Sequence, residues 1–323
     1  MDSYRWAFNF KEWHLNPNDL CFASKCLSSE EKTRILKFQY IRDVKAALSG
    51  RLLLHLMLCR LKQFIKTKTD DINIEFTRSN HGKPILDIKL DKPGTGDINN
   101  LYMTALHNYS FNISHQGSYS VLASSPIYNV GIDIMSIDNF VVNDPLNEKK
   151  DNSNIVIKKD IKNFFNTMRN VFTDNEWKYI KSAAKDSTKI ERFLCNWCLK
   201  ESFVKAKGNG ISSKLLRSIE FSNINYDLIS GDNYLKSGPK LALNNVVDND
   251  WRFQCQKLDL HIIAIAFSKH VDNDCKNDIF DLIEKEPMDF TYLTFEDIKQ
   301  LTEQLIYNHD IDVNFADSIM QKL

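Results

Sequence analysis

Apolar and polar residues alternate over positions 4–10 with the two-residue period of a strand, and the pattern then lengthens to that of a helix. Ser28 and Ser29, followed by Glu31 and Lys32, predict a cap and a first turn. From Glu30 to about Lys66 the pattern is helical. Ile35, Phe38, Ile41, Ala46, Leu48, Leu52, Leu56 and Leu61 form its apolar stripe, and Arg42, Lys45 and Arg51 stay on the polar side. Gly50 falls inside this run and predicts a break or a close helix contact. Strands are expected at 72–78 and 84–88, joined by a turn at 79–83. After a polar stretch rich in glycine and asparagine at 92–108, further strands are expected at 111–114, 118–123 and 130–134.

Residues 143–154 are too polar to bury a core and predict a flexible insertion. Thr173 with Glu176 three residues on is a capping box that starts a helix carrying Trp177 and Ile180. A central helix from about Ile190 to Lys207 is closed by Gly208 and Gly210, and strands are expected at 218–221, 240–243, 251–255 and 261–268. Thr294-Phe295-Glu296-Asp297 with Ile298, Leu301 and Leu305 predicts one more capped amphipathic helix, for which packing on the body is the commoner outcome. A faint internal repeat accompanies this order. Residues 111–124 and 258–268 each carry a histidine followed by small and apolar strand residues, and the helix around 42–56 takes the same relative place as that around 197–207.

At 323 residues the chain has room for two domains of ordinary size. Its longest apolar runs, such as 262–267, fall far short of the roughly 20 residues that span a bilayer, and Met1-Asp2-Ser3-Tyr4-Arg5-Trp6 is unlike a secretory signal. The expected compartment is the cytoplasm. Lysine plus arginine equals aspartate plus glutamate at 42 each, which argues against bulk nucleic-acid binding and makes any anion site a local one. Seven scattered cysteines fit reduced thiols. Cys195 and Cys198 form a Cys-x-x-Cys pair without a thioredoxin-like setting or a second ligand pair, and are read as buried helix residues.

The stretch Asn196-Trp197-Cys198-Leu199-Lys200-Glu201-Ser202-Phe203-Val204-Lys205 joins a helical pattern to one acid and two bases. Glu201 and Lys205, four apart, project from one face, while Lys200 points elsewhere. Taken alone, such a pair is an exposed ion pair worth about 0.3–0.5 kcal/mol. Val130-Gly131-Ile132-Asp133-Ile134 supplies the context that changes this, since a carboxylate in an apolar run is expensive unless it is paired or bound to a metal. Asp133 is therefore placed at a strand end facing a cleft, with a turn or cap acid as the ordinary alternative.

Together these two stretches resemble the signature of the 4′-phosphopantetheinyl transferases, specifically the larger, pseudo-dimeric type found as a human cytosolic enzyme. The resemblance runs from Arg5-Trp6-Ala7-Phe8 to about Ser268, through Arg42-Asp43-Val44-Lys45-Ala46-Ala47 with Gly50-Arg51, His81-Gly82-Lys83-Pro84 and Phe111-Asn112-Ile113-Ser114-His115-Gln116-Gly117. It implies an α+β fold of two similar halves about a pseudo-twofold axis, divided here at 1–125 and 126–270, with a helical extension at 271–323. The implied reaction moves the 4′-phosphopantetheine group from coenzyme A to a serine of apo acyl- or peptidyl-carrier proteins or domains, such as those of a fatty acid synthase, and releases adenosine 3′,5′-bisphosphate. A pseudo-dimer builds both walls of its cleft within one chain, so a monomer is expected, and the charge balance and short apolar runs call for neither nucleic acid nor membrane.

Carried over residue by residue, Asp133 and Glu201 match the family's magnesium-binding acids and Lys205 the lysine on the pyrophosphate. Arg42, Arg78, Gly82, Lys83, Pro84, Asn112, Ser114 and His115 match coenzyme A-binding positions, as do Asp133, Glu201 and Lys205 themselves, with His115 directed at the 3′-phosphate. Glu201 is left as ligand, base or both. Met135 stands where the small bacterial members have a second acid, and a thioether is a poor magnesium ligand, so water would complete the shell. The alternative reading is a non-catalytic module that binds coenzyme A or a carrier domain. Loss of Asp133, Glu201 or Lys205 would have favoured it, and all are present.

Overall fold

Strand β1 (Tyr4–Asn9) is followed by three helices, α1 (Pro17–Lys25), α2 (Ser29–Leu36) and α3 (Ile41–Lys66). The computed structural model describes residues 1–66, 72–79, 83–90, 104–142, 156–157, 160–208, 210, 212–224, 234–235, 238–269, 289–303 and 310–322. The expected insertion at 143–154 lies outside them. Helix α1 was not anticipated from the pattern, although Asn16 caps it and Pro17 stands in its first turn. Ser28 and Glu31 form the capping box of α2.

The helical run beginning at Glu30 is divided between α2 and α3, and a residue from the far end of the chain meets carbonyls at the divide. Lys322 Nζ donates to the Leu36 and Phe38 carbonyls at 2.7 and 2.6 Å, satisfying acceptors at the end of α2 that no local side chain meets. Gly50 does not interrupt α3. A Cβ there would lie 3.4 Å from Ile113 Cδ1, an ordinary contact.

Strands β2 (Ile72–Arg78) and β3 (Pro84–Leu90) pair as an antiparallel hairpin, and β4 (Ser110–Gln116) and β5 (Tyr119–Ser125) as a second, turned through Gly117 at φ 63°. In β4 the two-residue period puts Phe111, Ile113 and His115 on the face of the first core, His115 being its exposed end, and Asn112 and Ser114, both buried, on the other. Helix α3 packs on the sheet made by β1, β5 and β4, and Leu48, Leu52 and Leu56 are buried in its core.

The chain then enters a second unit, residues 128–288. Strand β6 (Tyr128–Ser136) leads to helices α4 (Ile161–Thr167), α5 (Asp174–Lys181), α6 (Asp186–Lys207) and α7 (Ser213–Ser218). Thr173 and Glu176 close the expected capping box of α5, and Gly208, at φ 73°, ends α6 with its N–H on the Val204 carbonyl. Strands β7 (Ile219–Ser222), β8 (Lys240–Leu243) and β9 (Val246–Asp248) form a small antiparallel sheet. Strands β10 (Trp251–Leu258) and β11 (His261–Lys269) join β6 in a larger one, to which Tyr234–Leu235 adds a short fourth strand beside β10.

β11 is the partner of β6. The pairing is antiparallel, with Ala266 opposite Gly131 and Ala264 opposite Asp133. Helix α6 lies on this sheet. Small residues line the contact because the backbones come very close. A Cβ on Gly131 would overlap the Ser202 carbonyl oxygen and the Ala206 amide nitrogen and come within 2.9 Å of the Ala206 Cα. Those are backbone atoms, which cannot swing aside. Gly131→Ala is therefore expected to push β6 off α6 and cost at least about 1–3 kcal/mol, read as a lower melting temperature. An unchanged melting temperature would refute the contact.

Residues 289–322 return to the first unit. Strand β12 (Thr291–Tyr292) pairs in parallel with β1, and helices α8 (Phe295–Thr302) and α9 (Val313–Met320) bury Phe295, Ile298, Phe315 and Ile319 in the first core. Thr294 and Asp297 form the predicted cap of α8, while Leu305 lies outside the described residues. The fold is α+β, and each unit rests a long helix on a four-stranded sheet.

Candidate functional site

In the second unit, β6 and α6 bring Asp133, Glu201 and Lys205 together. Asp133 is two residues beyond Gly131 and so shares its face, turned toward the helix. Lys205 Nζ donates to Asp133 Oδ1 at 2.6 Å across a sequence separation of 72 residues. The lysine thus has a partner on the neighbouring strand, beyond the local one expected from the i, i+4 spacing. Asp133 and Glu201 are both 5% exposed.

The Glu201 environment is electrostatically adverse. Burial first, and the negative charge of Asp133 second, push its carboxyl up to about 7 against the pull of Lys205. Its Oε1 is buried with no hydrogen-bond partner among the described residues. A carboxylate left in that state fits a cation or a proton as its missing partner. The thiol of Cys198, one turn back on α6, is raised well above its ordinary value by burial and then by Asp133.

Two carboxylates supply oxygen donors only, a set suited to magnesium, which takes one or two protein carboxylates and fills the remaining positions with phosphate and water. No group of three or more His, Cys, Asp or Glu suited to a metal occurs among the described residues. Met135, half-buried, shares the strand face of Asp133. Cys195 and Cys198 are fully buried. The Cys195 and Cys255 sulfurs are 3.3 Å apart, and Cys198 donates to the Ile262 carbonyl.

Lys200 is the residue whose role was not legible. It points away from Glu201, as expected, but into the core, at 1% exposure. Its ammonium meets Glu176 Oε2 at 2.7 Å and donates to the carbonyls of Leu216, Ile219 and Val171 at 2.7, 2.7 and 3.1 Å. Glu176 in turn accepts from the Thr173 and Phe221 amides, each at 2.9 Å. The node ties α6 to the start of α5, the end of α7 and β7. The only sequence signal was Glu176 in its capping box, which does not reveal a second partner.

In the first unit, Arg78, Pro84 and His115 line one cavity of about 190 Å³. Its floor includes Ile35, Leu54 and Ile113, and its other charged walls are Glu31, Arg34 and Arg51. Pairing of Arg78 with Pro84 across the hairpin sets two of these walls. Arg42 is exposed on the first turn of α3 and is absent from the lining. Asn112 and Ser114 are buried in β4. Lys83 precedes β3, its amide donates to Ser79 Oγ, and burial lowers its ammonium below the ordinary value. Gly82 lies outside the described residues.

Residues 11–127 match the family model described as 4′-phosphopantetheinyl transferase, N-terminal, and residues 129–266 match that of the 4′-phosphopantetheinyl transferase superfamily. The L-aminoadipate-semialdehyde dehydrogenase-phosphopantetheinyl transferase of Homo sapiens is 32% identical over 302 residues, covering 92% of this chain and 85% of its own. The protein of the same name from Xenopus laevis is 34% identical over 301 residues, with 92% and 86% covered. A phosphopantetheinyl transferase of Thraustochytrium sp. is 29% identical over 270 residues, with 82% and 78% covered.

Proposed function

The chain belongs to the 4′-phosphopantetheinyl transferases, and on that premise we propose that it takes the 4′-phosphopantetheine group from coenzyme A, with magnesium, and that Asp133, Glu201 and Lys205 carry the transfer. The acceptor is a serine of an apo carrier protein. One observation carries the site reading: the Asp133–Lys205 contact beside a buried Glu201 whose carboxyl is raised to about 7. A carboxyl poised near neutrality suits a group that must accept a proton at physiological pH.

Asp133 and Glu201 would hold the ion, which when bound supplies positive charge to the pyrophosphate oxygens. Lys205 donates to a phosphate oxygen and favours the charged form of Glu201. Glu201 accepts the proton as the serine oxygen bonds to the phosphorus bearing the pantetheine, and the phosphorus–oxygen bond to adenosine 3′,5′-bisphosphate breaks. Arg42, Arg78, Gly82, Lys83, Pro84, Asn112, Ser114 and His115 are the proposed coenzyme A contacts, with His115 toward the 3′-phosphate.

The reading includes a cytoplasmic monomer acting on carrier domains such as that of a fatty acid synthase. The six described cysteines are free thiols, the state that a reducing compartment keeps. As for organisation, the proposed halves at 1–125 and 126–270 are followed by the extension at 271–323.

Incubation with coenzyme A, magnesium and a panel of apo carrier proteins, read by intact mass, tests the proposal. A phosphopantetheine-sized gain on at least one carrier is expected, and its abolition by a chelator would support the metal. Transfer that persists undiminished after chelation would remove magnesium from the scheme. No gain on any carrier would remove the donor assignment.

A further inference from the structure

The second unit carries a basic groove that shares no residue with the transfer site. It lies between the end of α4, one face of α5 and the end of α7, with a volume of about 470 Å³. Phe165 and Trp177 form its apolar floor, their ring centroids 5.2 Å apart. The Trp177 indole donates to the Arg169 carbonyl at 3.1 Å, which holds the turn after α4 against α5. Arg169, Lys178, Lys181 and Arg217 stand around this floor, all exposed, and Asp174 is the one acid among the described lining residues. Asp174, Trp177, Lys178 and Lys181 are spaced i, i+3, i+4 and i+7, so α5 presents them as a single stripe about 10 Å long.

The four cations come from three elements, and none of them forms an ion pair among the described residues. Lys181 meets the face of Trp177 instead, 4.9 Å from the ring centroid. Four cations against one carboxylate leave an excess of three positive charges, in a chain whose basic and acidic residues are otherwise equal in number. Cations that share one groove repel one another and gain from an anionic partner, most of all at low salt. The backbone beneath them is held from inside. Lys200 donates to the Val171 and Leu216 carbonyls and pairs with Glu176, the immediate neighbours of Asn170, Arg217 and Trp177. The groove therefore lies on the side of α6 that Lys200 faces, away from Glu201, and stands on fixed backbone.

We propose that this groove is a docking surface for an acidic amphipathic segment of a protein partner. Apolar residues of the segment lie over Phe165 and Trp177, and its carboxylates meet Lys178, Lys181 and Arg217. A stripe two helical turns long suits such a segment better than a compact anion, which would reach only part of the stripe and gain nothing from the apolar floor. This is the helix-in-groove mode, in which anchors at i, i+3, i+4 and i+7 of the incoming segment fill a groove of matching length. Exposed charges around it set the choice of partner and the rate of encounter more than the affinity.

Fluorescence anisotropy of a labelled synthetic helix of glutamate and leucine at helical spacing, titrated with the full chain, tests it. The parent should bind, and more tightly at about 50 mM than at about 300 mM salt. Lys181→Glu and Arg217→Glu should each weaken binding about 3- to 10-fold, and together about 10- to 100-fold. Both positions are exposed, so the melting temperatures should stay near that of the parent. Lys240→Glu, exposed in the same unit but outside the groove, should leave the affinity within about 2-fold. If one groove variant fails to fold, the other decides. A parent that does not bind, or groove variants that bind no more weakly than Lys240→Glu, would overturn the docking surface. Displacement of the peptide by an equimolar amount of inorganic triphosphate would overturn it in favour of a small-anion site.

Discussion

A Lys200→Met protein is expected to lose about 3–5 kcal/mol of unfolding free energy, the usual result of removing one partner from a buried ion pair. Methionine nearly matches the length of lysine but supplies no donors. Three carbonyls then lack the ammonium, and Glu176 is left charged in a site where it is 2% exposed. Burial already pushes the Glu176 carboxyl above its ordinary range and the Lys200 ammonium below its own, so each charge depends on the other and on the backbone groups around them. The double variant Lys200→Met/Glu176→Gln should lose less than the sum of the two single losses, because the second change removes the stranded charge. Urea midpoints at constant m measure this. A Lys200→Met loss below about 1 kcal/mol would show that the node holds nothing.

Glu201→Gln should lower turnover at saturating coenzyme A and magnesium about 10²- to 10⁴-fold while leaving coenzyme A affinity in place, the range of a lost general base. Full rescue by excess magnesium would leave Glu201 as a ligand only. The same variant should also be the more stable protein at high pH. In the folded parent Glu201 keeps its proton to about pH 7, against an ordinary value of 4.5. Between those values the folded state holds the extra proton, so stability falls as the pH rises, and above 7 the loss is complete, on the order of 3 kcal/mol. Glutamine has no such proton to lose. Melting temperatures in cation-free buffer at pH 5 and pH 8 should therefore diverge more for the parent than for the variant. Equal divergence would mean that Glu201 is not the buried acid described above.

Local patterns announced themselves. The two hairpins, the capping boxes at Thr173 and Thr294 and the Gly208 cap are written in residues three or four apart, within reach of single-turn rules. Asp133 and Lys205 were singled out for the chemistry of a lone acid in an apolar strand and a base on a helix. What stayed hidden was set by distant chain. Gly131 reads as one more small residue until α6 is laid on it. Lys200 looks like any helix lysine until Leu216, Ile219 and Glu176 surround it. The divide between α2 and α3 contains neither glycine nor proline, and the Lys322 that donates to its carbonyls comes from the far end of the chain. Arg51 and Glu31 were placed on their helices correctly, but their meeting with Arg78 needed the hairpin to fold against them.

The return of residues 289–322 to the first unit bears on the order in which this protein is made. Synthesis runs from the first residue onward, so 1–127 leave the ribosome without β12, α8 and α9, and the complete second unit is finished before those elements appear. Until then Trp13 lacks the Phe295 ring stacked on it at 4.9 Å, and Lys32 lacks Asp312 at 3.1 Å. The nascent first unit carries exposed apolar surface for the time needed to translate 128–288, some tens of seconds or less at about 5–20 residues per second. The contiguous second unit has no such wait, so the half bearing Asp133, Glu201 and Lys205 is the one able to fold during translation, and the half bearing Arg51 and His115 closes last.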